Sequence, residues 1–191
     1  MEDISLSRRQ QKTRLAFMNA FLRLVMEKGL KNISVTDIAH EANYGRWAFY
    51  QYFSSKEDVA WAAFVHWMTQ LDTQLVASVQ HLPSPQREYQ SWRLIFQAFQ
   101  QQRPFLTRLD SPLIAAWRER AKEFLVQQFL QHLQAGRYSL MEGVRPQIAA
   151  RLYVAAIMEL LDYWGRNPDA GDVDTLVDEF FRFIFNQPPP K

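Results

Sequence analysis

The sequence predicts an all-α protein of about nine helices, and three observations carry that expectation. Apolar residues recur at helical spacing along most of its length, as in Trp61, Phe64, Val65, Met68, Leu71, Leu75 and Val79. Glycine occupies only 6 of 191 positions and strand-like alternation is nearly absent, so neither hairpin turns nor half-buried strands are signalled. Helix-start residues precede the periodic runs: Ser7, Ser34, Ser54-Ser55, Ser84-Pro85, Ser111-Pro112, Pro146 and Asp172.

Taken in order, the first helix starts at Ser7, whose hydroxyl forms a capping box with Gln10, and it ends before Gly29. Its inward stripe is Leu15, Met18, Leu22 and Val25, widened by Phe17, Phe21 and Leu24. A short second helix runs from Val35 to about Ala42 under a Ser34/Asp37 cap, and a third from Arg46 to about Tyr52. The fourth is long, to about Gln80, with Glu57 and Asp58 in the first turn, where the helix dipole favours acids. Ser84-Pro85 opens the fifth. Pro104 predicts a break followed by a short sixth helix. The seventh runs from Ser111-Pro112 to about Ala135 and stops at Gly136; 137–144 is a loop. The eighth extends from Pro146 to about Trp164, and the ninth from Val173 to about Asn186 under Asp172. The tail Pro188-Pro189-Pro190-Lys191 is expected to fray.

Composition narrows the function classes. No cysteine is present, which excludes disulfides, zinc ribbons and thiol catalysis. There is no H-E-x-x-H, Gly-rich phosphate loop or G-x-S-x-G, and the histidines (His40, His66, His81, His132) are scattered; neither an enzyme nor a cofactor is expected. The start, Met1-Glu2-Asp3-Ile4-Ser5, lacks the order of a signal peptide, and apolar runs such as 154–158 are far short of the roughly 20 residues that span a bilayer. A cytoplasmic protein without a membrane partner is expected. Net charge is only +2, but it is unevenly spread. Arg8, Arg9, Lys12, Arg14, Arg23, Lys28 and Lys31 face the single acid Glu27, whereas 162–179 carries six acids against Arg166. A basic front suits phosphate at one end of the molecule; two ordinary solvated faces are the plain alternative.

The stretch 34–58 reads as a short capped helix, a turn at Asn43 and Gly45, a second short helix and the start of a third. Val35, Ile38, Ala39 and Ala42 turn inward, and Phe49 and Phe53 anchor the next helix, leaving its other face proud of the surface, as a helix-turn-helix requires. Thr36, Asp37-Ile38-Ala39, Ala42, Phe49-Tyr50, Tyr52-Phe53 and Ser55-Lys56-Glu57, with Thr13-Arg14 and Glu27-Lys28-Gly29 upstream, resemble the DNA-binding domain of the tetracycline-repressor (TetR) family. The resemblance is strong over residues 8–60 and weak beyond. It implies base-edge contacts from Arg46, Trp47, Ala48 and Gln51, and phosphate contacts from Thr36, Tyr50, Tyr52 and Lys56. It departs from the family at Asn43 (usually glycine), at Gly45 (usually a serine cap) and at Trp47 (commonly a small residue or proline). It also implies a DNA-binding domain over 1–57, a helical ligand-binding and dimerisation domain over 58–187, and a disordered tail at 188–191.

The last two helices carry more apolar surface than one small body needs. Leu152, Ala156, Leu160, Trp164, Val177, Phe180, Phe181 and Ile184 are therefore expected at a four-helix homodimer interface, with a purely internal core as the alternative. Trp92, Phe96, Phe99, Trp117, Phe124 and Tyr153 are expected to line a pocket for a small hydrophobic ligand, or else to form an aromatic core without a cavity. The implied function is a transcriptional repressor on palindromic double-stranded DNA, released by that ligand. An activator of the same fold, or a ligand-binding or interaction protein with a degenerate helix-turn-helix, stays open.

Overall fold

The computed structural model describes residues 7–106, 111–138 and 143–190, with only the backbone described at 106, 111–116 and 168. Among the described residues there are eight α-helices and no strand: α1 (Arg8–Lys28), α2 (Val35–Glu41), α3 (Arg46–Tyr50), α4 (Lys56–Val79), α5 (Gln86–Leu106), α6 (Ser111–Gln134), α7 (Pro146–Arg166) and α8 (Val173–Phe185). Where the sequence predicts a break at Pro104, α5 continues through it. A proline there removes one hydrogen bond, and with the helix ending at Leu106 the loss is confined to its last turn. The rest of the expected sixth helix lies outside the described residues.

The chain forms two compact units. Among the described residues, the first holds the chain up to Gln70 and the stretch from Pro104 to Leu106; the second holds Leu71–Arg103 and the chain from Ser111. The division thus falls inside α4, later than the expected boundary at 57/58, because the first turns of α4, with Val59 and Ala60 buried, belong to the N-terminal unit.

In the first unit α1 is capped as its sequence predicts, with Ser7 and Gln10 bonding reciprocally. Its buried face is Thr13, Phe17, Met18, Ala20, Phe21, Leu24 and Val25, so the seam is rotated from the expected stripe and leaves Leu15 and Leu22 half-buried. The rotation brings Phe17 onto Phe49 (ring centroids 5.4 Å, edge-on) and Phe53 (6.3 Å), an aromatic cluster stronger than aliphatic contact alone. Ser34 and Asp37 form the second capping box. The Ser34 hydroxyl, then its backbone N–H, hold the Asp37 carboxyl below the usual carboxylate range.

In the second unit α5, α7 and α8 enclose Trp92, Phe96, Tyr153, Trp164, Leu176, Val177, Phe180 and Phe181. A smaller cluster joins α6 and α7 through Val126, Leu133, Ala149, Ala150 and Val154. Asp172 caps α8 by accepting from the Thr175 N–H at 2.8 Å. Tyr89 donates to Asp178 at 2.7 Å, and Arg93 grips Asp174 with two nitrogens at 2.7 and 3.2 Å. These contacts hold α8 by its acidic face against α5. The terminal prolines Pro189 and Pro190 are half-buried.

Half of the expected dimer face is therefore internal. Trp164, Val177, Phe180 and Phe181 are core residues of a single protomer, and the Trp164 indole also donates to the Gly171 carbonyl at 3.1 Å. The stripe of α8 has Trp92 to cover it (4.6 Å between the Trp92 and Phe180 rings), so it needs no second copy. Ala156, Leu160 and Ile184 sit half-buried at the margin of this core. What remains outside is another face of α7, with Ile148, Leu152, Ala155 and Tyr163 at helical spacing, and Phe183 on α8.

Candidate nucleic-acid interface

The turn between α2 and α3 is made by backbone bonds and one left-handed residue. The Asn43 and Tyr44 N–H groups return to the carbonyls of His40 and Ala39, at 3.0 and 2.9 Å. Asn43 takes φ 59°, a conformation asparagine tolerates better than most residues, so it fills the place of a turn glycine. Gly45 has an ordinary φ of −74° and serves as the N-cap of α3 without a side-chain bond. Its freedom is not needed there.

From that turn α3 is pinned on one side by Phe49, which is fully buried, and by Phe53 just beyond its end. The opposite side is open. Trp47 is 75% exposed, Arg46 and Gln51 are exposed, and Ala48 is half-buried between them. An indole held in water by a buried neighbour two residues on has no structural partner to justify its position. Arg46 donates to the Tyr50 hydroxyl at 3.2 Å, with its guanidinium carbon 5.5 Å from the ring centroid. The pair is one turn apart on the helix, so Tyr50 holds the arginine in a defined place before any partner arrives.

The expected phosphate contacts divide. Thr36 is exposed in the first turn of α2, free to meet an oxyanion. Tyr50 is exposed, whereas Tyr52 is half-buried with its ring 6.1 Å from Phe17. Lys56 has a second occupation: its ammonium donates to the carbonyls of Leu30 and Ile33, both at 3.0 Å, tying α4 to the segment between α1 and α2. Sequence reasoning passed over Tyr44. Its ring lies 5.2 Å from Phe17, its hydroxyl is 3.2 Å from that of Thr13, and it is still 40% exposed beside α3. An aromatic residue inside a polar turn was the available signal. Arg8, Arg9 and Lys12 are exposed along the start of α1, which adds basic charge to the first unit.

The aromatic residues expected around a ligand behave differently. Trp92, Phe96 and Tyr153 are buried in the α5/α7/α8 core, with Tyr153 5.2 Å from Phe129, and so fit the packed-core alternative. Phe99, Trp117 and Phe124 are half-buried.

Residues 18–63 match the family model described as bacterial regulatory proteins, tetR family. That segment contains α2 and α3 whole, together with Phe49 and Phe53, which anchor α3. Over nearly the full chain the fold is similar to that of NalD, the secondary repressor of the MexAB-OprM multidrug efflux pump in Pseudomonas aeruginosa. The two are 26% identical, with 94% of this chain and 97% of that one covered and a TM-score of 0.60. Over residues 18–63 the chain carries a TetR-family domain. The fold is also similar to that of SmeT, solved as a complex with triclosan (18% identity, 95% and 100% covered, TM-score 0.60). FadR from Bacillus subtilis, solved with stearoyl-CoA, shares it as well (18%, 88% and 96%, 0.56). No curated protein sequence matches. Among the described residues no helix is long and apolar enough to cross a membrane.

Proposed function

We propose that this regulator is a cytoplasmic repressor that binds a palindromic operator as a homodimer and leaves it on binding a small molecule. The observation that carries this reading is the exposed edge of α3, where Trp47 stands in solvent beside an Arg46 already held by Tyr50. Arginine can grip guanine O6 and N7 with two nitrogens, and an indole can lie on a thymine methyl. Arg46, Trp47, Ala48 and Gln51 would read bases. Thr36, Tyr50, Tyr52 and the free donor of Lys56 would fix the register on phosphates. The second copy would dock on the exposed face of α7 with Phe183, presenting two recognition helices about 34–36 Å apart. NalD, named a repressor, supports the sign of regulation, and the triclosan and stearoyl-CoA complexes of SmeT and FadR support a small hydrophobic effector. α4 supplies residues to both units and is the element through which an effector in the second could shift the population of DNA-competent dimers.

The test is anisotropy binding to the DNA flanking the regulator's own gene across a salt series. Arg46→Ala is expected to cost about 1–3 kcal/mol at the cognate site and to blur base preference at one position of each half-site. Feeble binding that ignores sequence, unchanged by Arg46→Ala, would identify a ligand-binding protein with a degenerate helix-turn-helix instead.

A further inference from the structure

The second unit contains a recess of about 190 Å³ that lies apart from its aromatic core. Val76, Val79 and Gln80 of α4 form one wall, Arg87 at the start of α5 another, and Arg137 and Tyr138 after α6 the third. Two guanidinium groups line it and no acid does. Arg87 Nε is buried without a hydrogen-bond acceptor and forms an ion pair with Oε1 of buried Glu88 at 3.7 Å. Arg137 donates to Nδ1 of buried His132 at 3.0 Å, which leaves the His132 Nε2–H for Asp72 of α4 at 2.5 Å. Asp72 is thereby spent on the imidazole, and the chain Asp72–His132–Arg137 fixes the position of the second guanidinium. The Ser91 hydroxyl donates to the Arg87 carbonyl at 2.8 Å, so the Tyr138 hydroxyl donates to Ser91 at 3.1 Å and is fixed in place.

We infer that this recess is a binding site for a small organic carboxylate with an aromatic or branched apolar body. Arg87 is paired with buried Glu88, so the charge that selects an anion is that of Arg137, whose internal partner is the neutral His132 ring. The size selects the body: a cavity of roughly 150 Å³ takes benzene, so this one takes a ring bearing one carboxylate. Val76 and Val79 give that ring an apolar surface, and the amide of Gln80 adds a neutral donor at the rim.

The experiment is isothermal titration of the full-length protein with benzoate and with its neutral isostere benzamide, repeated on Arg137→Gln and Arg87→Gln. Benzoate is expected to bind saturably at one site per chain and at least tenfold more tightly than benzamide. Arg137→Gln is expected to weaken benzoate tenfold or more and to leave benzamide unchanged. Arg137 is exposed, so that variant is expected to fold even if Arg87→Gln does not. Equal affinity for the two ligands, no effect of Arg137→Gln, inorganic phosphate binding as tightly as benzoate, or no saturable binding would each overturn the assignment. No DNA enters the titration, so its failure leaves the operator proposal standing.

Discussion

Trp47 and Lys56 separate two kinds of functional residue. Trp47 is 75% exposed, so Trp47→Ala removes little of the fold's own packing. Its unfolding free energy should stay within about 0.5 kcal/mol of the parent protein while specific DNA affinity falls tenfold or more; a large loss of stability with unchanged affinity would sink the reading. Lys56 is the reverse case, with its ammonium on two backbone carbonyls. Lys56→Ala leaves those acceptors without their donor and should destabilise the N-terminal unit by roughly 1–3 kcal/mol, measured by denaturant unfolding. Its DNA defect must then be read at a temperature where the variant is folded. The motif at Ser55-Lys56-Glu57 was legible in the sequence; the two carbonyls that Lys56 serves were not. They belong to Leu30 and Ile33, over twenty residues away, and nothing in local spacing announces a contact at that separation.

Helices were legible wherever their start signals were chemical. The boxes Ser7/Gln10 and Ser34/Asp37 and the Asp172 cap form as the residue types require, because each bond is made within four residues of chain. α3 is the exception, since Gly45 offers its N-terminus no side-chain oxygen. A Cβ at Gly45 would meet nothing within 4 Å and its backbone is already in the extended region. Gly45→Ser should therefore raise stability by about 0.5–1 kcal/mol, through a new cap and a less disordered unfolded chain, as a rise in melting temperature would register. A fall would mean that the turn is tighter than its geometry indicates. Pro104 misled in the opposite sense. A proline reads as a break, yet near the end of a helix its missing N–H costs one bond, which α5 absorbs.

At the scale of the whole molecule the question is which apolar surface closes the protomer and which is left for a partner. Phe181 is fully buried and Leu152 is 62% exposed, although both sit on long apolar stripes of the last two helices. Phe181→Ala should cost about 3–5 kcal/mol and threaten folding itself. Leu152→Glu should leave the thermal transition of the isolated chain nearly intact but yield monomers in sedimentation velocity, with DNA binding lost alongside. A dimer that survives Leu152→Glu would put the interface elsewhere.

By itself the sequence determined the all-α class, the order of the helices and the helix-turn-helix, because periodicity, caps and a motif packed into 34–58 are all short-range properties of the chain. Only the tertiary structure decided that Trp92, Phe96 and Tyr153 fill a core and that Val177, Phe180 and Phe181 face inward. It also brought two arginines from separate elements to one recess. An apolar stripe records that a face must be covered; what covers it depends on which helix arrives there, and that is settled by packing between residues far apart in the chain.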